Sequence, residues 1–83
     1  MKCGAVMAVR LEKRVKEAVK VQEALTKFGC NIAARFGIHD TGEQCSDEGL
    51  ILLCLNGSPA EIAELAKTLK SIPGVKADIL ELK

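Results

Sequence analysis

The residues best suited to chemistry lie in one polar segment, residues 39–48. Its potential ligand and proton-carrying side chains are His39, Asp40, Glu43, Cys45, Asp47 and Glu48. Imidazole and thiolate bind borderline metals such as Zn²⁺, and two copies of the segment in a dimer could together complete a ligand set. His39 and Cys45 are therefore candidate metal ligands. The alternative is a solvated loop whose acids keep it in water, because one histidine and one cysteine form a weak ligand pattern.

Cys45 has a second candidate role as a sensor of oxidants. A thiol among polar residues is accessible to oxidants, and its first oxidation product is reversible. The acidic neighbours of Cys45 disfavour the reactive thiolate, unless Arg35 or His39 folds close to it. The segment therefore supports two readings, a metal-responsive loop and a redox-responsive loop.

Two arginines on predicted strands, Arg35 and Arg10, are candidates for contacts at a subunit interface. A guanidinium can hold a carboxylate or another anion through two parallel hydrogen bonds. Arg35 lies opposite the apolar row of its own strand, and Arg10 is expected to face the same side of the sheet. The alternative for each is a solvated surface charge.

The sequence lacks the motifs that enzymes of this size would need. It contains no Ser-His-Asp arrangement, no phosphate-binding glycine loop and no CxxC pair. We therefore predict a non-catalytic protein with no resident organic cofactor, a metal ion being the one open alternative.

Composition excludes several partners. The net charge is +1 and both aromatic residues are phenylalanines, so neither a basic field nor stacking platforms would attract nucleic acid. No segment approaches the roughly 20 apolar residues of a membrane helix. Without a secretion signal we expect a cytoplasmic protein whose four cysteines, Cys3, Cys30, Cys45 and Cys54, are free thiols packed mostly as small hydrophobes.

Hydrophobic periodicity predicts six elements in βαββαβ order. The strands are predicted at 3–11, 30–38, 49–55 and 75–82, and the helices at 13–28 and from the Ser58 cap to Ile72. The first and third strands are apolar on both faces, as central strands are, whereas the second and fourth have a polar face. The pattern predicts an α+β, ferredoxin-like single domain over residues 1–83, with antiparallel sheet order 4-1-3-2 and both helices on one face.

The two helices carry different signals. Ser58, Pro59 and Glu61 match a capping box with proline in the first turn. The first helix has no such start signal, and its apolar spacing predicts a buried stripe of Val15, Ala18, Val19, Gln22, Leu25 and Phe28.

The face of the sheet without helices is expected to remain apolar. Residues predicted there are Val6, Ala8, Ala33, alternating members of 50–55, and Leu80 or Leu82. Soluble monomers rarely expose several hundred Å² of contiguous apolar surface. We therefore predict a homodimer or tetramer formed through the sheet, by its face or by edge pairing.

Three segments carry a family resemblance that covers residues 5–82. They are the strand Ile32-Ala33-Ala34-Arg35-Phe36-Gly37-Ile38, the apolar third strand, and Leu69-Lys70-Ser71-Ile72-Pro73-Gly74-Val75-Lys76. The chain resembles the small ACT-like proteins that are regulators of iron-only hydrogenase systems, a family similar to the C-terminal sensing domain of the nickel-responsive repressor.

The resemblance implies an ACT-like regulatory module that binds a small molecule, a metal or a partner protein. Such a partner would be a transcription factor or a hydrogenase-maturation protein. Residues 10–14 lack the glycine turn of amino-acid-binding ACT domains, and His39 is the only histidine. Neither amino-acid sensing nor a copied nickel site is therefore implied.

Overall fold

The computed structural model describes residues 3–39 and 48–82. These residues form four strands and two α-helices. The elements in chain order are β1 (Ala5–Leu11), α1 (Arg14–Lys27), a short 3-10 turn (Gly29–Asn31), β2 (Ile32–His39), β3 (Gly49–Leu55), α2 (Pro59–Lys70) and β4 (Val75–Glu81). The predicted order of elements is confirmed, and most boundaries differ from the predicted ones by one or two residues.

The four strands form one antiparallel sheet in the order β2-β3-β1-β4. This is the predicted order 4-1-3-2 read from the other edge. β1 and β3, which are apolar on both faces, occupy the centre, as expected for strands covered on both sides. Both helices pack on one face, where they enclose a single core with the sheet.

The core alternates along the central strand. Odd-numbered residues of β1 are buried, whereas Val6 and Ala8 on the opposite face are half-buried and Arg10 is exposed. The largest fully buried side chains are Met7, Val9, Leu11, Val21, Leu53, Leu55, Leu65 and Leu69. Because these come from both helices and both central strands, one aliphatic layer holds helices and sheet together.

The buried stripe of α1 differs from the predicted one. The helix buries Glu17, Val21, Ala24 and Leu25, whereas Val19 is 66% exposed. Glu17 can be buried because its carboxylate accepts the backbone N–H of Lys13 at 3.0 Å, at the start of the helix. A polar residue thus occupies a core-facing position, and the apolar stripe is rotated around the helix relative to the prediction.

The capping box of α2 is confirmed. The Ser58 hydroxyl accepts the backbone N–H of Glu61 at 3.2 Å, and the Glu61 carboxylate accepts the backbone N–H of Ser58 at 2.9 Å. Asn31, which is buried, donates its amide to the Asn56 carbonyl at 3.2 Å. Gly57 has φ +113°, and a side chain there would collide with the Asn31 amide. The start of α2 is therefore held by polar groups to the 3-10 turn that follows α1.

This network lowers the pKa of the Glu61 carboxyl group. Hydrogen bonds from the Ser58 backbone, then the Asn31 side chain, then the Ser58 hydroxyl hold the pKa of Glu61 below its ordinary 4.5. A lowered folded-state pKa stabilises the fold above the unfolded value, and this contribution is lost as pH falls below 4.5 through the folded value. We expect an NMR titration to place the Glu61 midpoint below 4.5 and Asn31→Ala to raise it. An unchanged midpoint would contradict the Asn31 contact.

Cys3 and Cys54 are joined by a disulfide, with Cα atoms 5.4 Å apart. The expectation of a free thiol was therefore wrong for these two cysteines. Cys3 precedes β1 and lies outside its ladder, so strand alternation does not fix where its side chain points. Cys30 is free and exposed, and Cys45 lies outside the described residues.

Candidate functional site

The open face of the sheet, opposite the helices, is the candidate site. Among the side chains that the structure describes, the registers place eleven on it, in three rows across β2, β3, β1 and β4. The rows are Ala34-Cys54-Val6-Leu80, Phe36-Leu52-Ala8-Asp78 and Leu50-Arg10-Lys76. The first row is entirely apolar, and the charges gather at the β1–β4 corner of the other two.

A register shift in β2 decides which residues of that strand belong to this surface. Ile32 lies opposite Leu55 on the helix side, but after the irregularity between Ile32 and Ala34 the residue opposite Cys54 is Ala34. An extra residue of this kind moves every later side chain to the other face. Ala34 and Phe36 therefore lie on the open face.

The same shift corrects the predicted position of Arg35. Arg35 lies opposite the buried Leu53 and is therefore on the helix side of the sheet, where it is exposed beside Gln22 and Thr26 of α1. Arg10 is on the open face, between Leu50 and Lys76. The expectation that the two arginines share one face was wrong, although Arg35, on the edge strand β2, also borders a depression of the open face.

The apolar part of the open face is well exposed in the single chain. Phe36 is 64% and Leu80 is 65% exposed, at opposite edges of the sheet. Between Phe36 and β1 lies a shallow apolar depression of about 230 Å³, lined in part by Val6, Leu52 and Cys54. Aromatic and leucine side chains that protrude around a shallow depression are typical of a protein interface, whereas a small ligand is usually bound in an enclosed pocket.

The charged corner consists of Arg10, Lys76 and Asp78. Arg10 is directly opposite Lys76, and Asp78 is opposite Ala8 in the next row. Arg10 is exposed, so its guanidinium is available to a carboxylate on another surface. The corner adds polar contacts to the rim of an apolar patch, which is the usual composition of a protein interface.

The predicted metal and redox loop lies largely outside the described residues. His39 ends β2 opposite Gly49, while Cys45 and residues 40–47 fall in the part that the structure does not describe. Within residues 3–39 and 48–82, no group of three or more His, Cys, Asp and Glu side chains is placed to hold a metal. The roles suggested for His39 and Cys45 stay predictions.

A second concavity lies on the helix side, between α2 and the end of β4. This open groove of about 760 Å³ is lined by Ile62 of α2, by Ile79 and Leu82, and by the turn at Gly57. Glu81 is the one charged side chain among the described residues that line it, and Cys3 at its rim is bonded to Cys54. The described lining of the groove is therefore mostly apolar and contains no free thiol.

No protein-family model matches the chain, and no curated protein matches it. The chain is similar to the structure of the uncharacterized protein TM1266 from Thermotoga maritima, with 28% identity, a TM-score of 0.84 and 100% of both chains covered. It is also similar to the C-terminal domain of the MgtC protein from Mycobacterium tuberculosis, with 17% identity and a TM-score of 0.63 over 99% of this chain and 92% of that one.

A de novo designed protein shares the fold at 10% identity, with a TM-score of 0.53 over 95% of this chain and 96% of that one. At such identities the second and third likenesses concern the fold alone. They support a small ferredoxin-like arrangement over essentially the whole chain. In the part of the chain that the structure describes, neither helix is long and apolar enough to cross a membrane.

Proposed function

We propose that the protein is a non-catalytic regulatory module that acts as a homo-oligomer held together through the open face of its sheet. The observation that supports this is the apolar first row of that face, together with the neighbouring Phe36. A contiguous apolar surface of this kind is rarely left in water by a monomer. A second copy of the chain would cover it with an equivalent apolar surface.

The size of the face is consistent with this role. Four strands about 4.8 Å apart and three rows about 6.8 Å apart span a flat area of about 400 Å². Protruding side chains such as Phe36 and Leu80 present more accessible area than their flat projection. A face-to-face contact would thus bury at least about half of the roughly 800 Å² per partner of a standard interface.

The regulatory part of the proposal rests on the sequence resemblance to regulators of iron-only hydrogenase systems. The partner would then be a transcription factor or a hydrogenase-maturation protein in the cytoplasm, bound by the assembled oligomer. Helix-side surfaces, including exposed Arg35 and the groove beside α2, would remain free for such a partner once the open faces are joined.

The open-face contact is tested by Phe36→Asp with Val19→Asp as matched control. The two parent side chains are large, apolar and similarly exposed, at 64% and 66%, but only Phe36 lies on the open face. Burying a carboxylate against an apolar surface is strongly unfavourable. In analytical ultracentrifugation at tens of micromolar, Phe36→Asp is expected to halve the mass of the wild-type oligomer, whereas Val19→Asp keeps it. A monomeric wild type, or equal behaviour of both variants, would overturn the proposal.

A further inference from the structure

The outer edge of β4 is a second candidate interaction surface, separate from the open face. β4 pairs with β1 on one side, and no described element pairs with its other side. Backbone hydrogen bonds from Glu12 to the Gly74 carbonyl, and from Leu82 to the Gly4 carbonyl, flank the β1–β4 ladder. Backbone polar groups alternate in direction along a strand. The backbone N–H and C=O groups of even-numbered β4 residues therefore point towards β1. The backbone N–H and C=O groups of the odd-numbered residues point outwards, and these residues are Val75, Ala77, Ile79 and Glu81.

The two edges of the sheet differ in how they are protected. At the other edge, β2 carries a register shift between Ile32 and Ala34, a device that discourages strand addition. β4 pairs with β1 in an unbroken register from Glu81 to Val75. It also exposes large apolar side chains on both faces, Ile79 at 40% and Leu80 at 65%. An unprotected, apolar edge of this kind is a template for another strand.

The charge pattern of β4 favours β4 of a second copy of the chain as the strand that pairs with this edge. If two β4 strands pair antiparallel about a two-fold axis perpendicular to the sheet, one residue lies opposite its own copy. Centring on Lys76 or Asp78 would oppose like charges, and centring on Ile79 would place Asp78 opposite Leu80. Centring on Ala77 places Lys76 opposite Asp78 twice and Val75 opposite Ile79 twice. Opposite charges on facing strands stabilise a pair and like charges destabilise it.

We propose that β4 pairs with β4 of a second copy in the register centred on Ala77, which extends the sheet to eight strands. In this register the outward groups of Val75, Ala77 and Ile79 bond to those of Ile79, Ala77 and Val75 of the other copy. The two Ala77 side chains meet at the two-fold axis. Their small size lets the strands approach closely, whereas larger side chains there would hold the strands apart. Both helix layers lie on the same side of the extended sheet, so its open face stays available for the contact described above.

The edge contact and the open-face contact make different predictions for the same variants. With both present, wild type is a tetramer, Phe36→Asp is a dimer held by the edge, and Phe36→Asp with Ile79→Pro is a monomer. Proline at position 79 removes an outward N–H without removing a β1–β4 bond. Ile79→Ala in the same background loses the side chain but keeps the N–H, and is expected to remain dimeric.

A charge exchange tests the register without a proline. In the Phe36→Asp background, Lys76→Glu is expected to weaken dimerisation about tenfold by opposing acids at both facing pairs. Adding Asp78→Lys reverses both charges and restores the dimer. Sedimentation equilibrium measures the constants, and circular dichroism checks that each variant is folded. If Phe36→Asp is already monomeric, or the exchange does not restore association, the edge proposal fails, whereas an unchanged mass on Phe36→Asp removes only the open-face proposal.

Discussion

Reduction of the Cys3–Cys54 disulfide is expected to lower the free energy of unfolding by up to about 4 kcal/mol. The bond joins residues separated by 51 positions, and a cross-link of that span removes about this much conformational freedom from the unfolded chain. Most small domains have only about 5–15 kcal/mol in total. Denaturant titrations of the oxidised and reduced protein, at one protein concentration because association shifts apparent stability, measure the difference.

Serine variants assign the effect to this bond. Cys3→Ser is expected to lower the unfolding midpoint of the oxidised protein to that of the reduced wild type. Cys30→Ser is the matched control, since Cys30 is exposed and free, and it should leave the midpoint unchanged. Alkylation of the unfolded, unreduced protein should label Cys30 but neither Cys3 nor Cys54. Labelling of both, or equal midpoints with and without reductant, would contradict the bond.

The disulfide also connects stability to the candidate site. Cys54 stands in the apolar first row of the open face, between Ala34 and Val6. The bond therefore ties the segment before β1 to the middle of the open face. The cytoplasm keeps most thiols reduced. In that compartment the oxidised form would exist only during oxidative exposure.

The architecture could be predicted because it follows from strand composition. β3 is a continuous apolar run and β1 is nearly so, and a strand without a polar face must lie in the middle of a covered sheet. Alternation along the strands also predicts Val6, Ala8 and Leu80 on the open face. The capping box of α2 could also be found, because Ser58 and Glu61 bond over a fixed local spacing.

The part of the candidate site that comes from β2 could not be predicted, because its position depends on one irregular residue pair. Alternation correctly grouped Ala34 with Phe36 and set Arg35 apart, but it assigned each group to the wrong face. The shift between Ile32 and Ala34 falls in an Ile-Ala-Ala stretch with no glycine or proline to mark it. A bulge is set by how two strands fit across their ladder, and one strand's sequence does not contain that information.

The stripe on α1 was misplaced for a different reason. Counting apolar residues excludes glutamate from the core, so the spacing favoured Ala18 and Val19 over Glu17 and Val21. Burial of a carboxylate is unfavourable unless a polar group is in place to form a hydrogen bond with it. For Glu17 that partner is the Lys13 backbone N–H at the start of its own helix. Its space depends on Gly74, a residue 57 positions further along the chain.

Gly74→Ala is expected to cost about 3 kcal/mol of unfolding free energy. Gly74 has φ +83°, where a side chain costs roughly 1–2 kcal/mol, and a Cβ there would collide with the Glu17 carboxylate. The carboxylate would have to leave its buried position and its bond to Lys13. Gly29→Ala is the matched control, because a Cβ at Gly29 has no atom within 4 Å, and it should be nearly neutral.

A double-mutant cycle separates backbone strain from the collision. Glu17→Ala alone is expected to cost about 1 kcal/mol by losing the hydrogen bond to Lys13. In that background the collision is gone and only the strain at φ +83° remains, so Gly74→Ala should cost about 1 kcal/mol less than in wild type. Strict additivity of the two substitutions would show that Glu17 and Gly74 do not compete for the same space. Coupling would show that the junction before β4 and the start of α1 are built around one buried carboxylate.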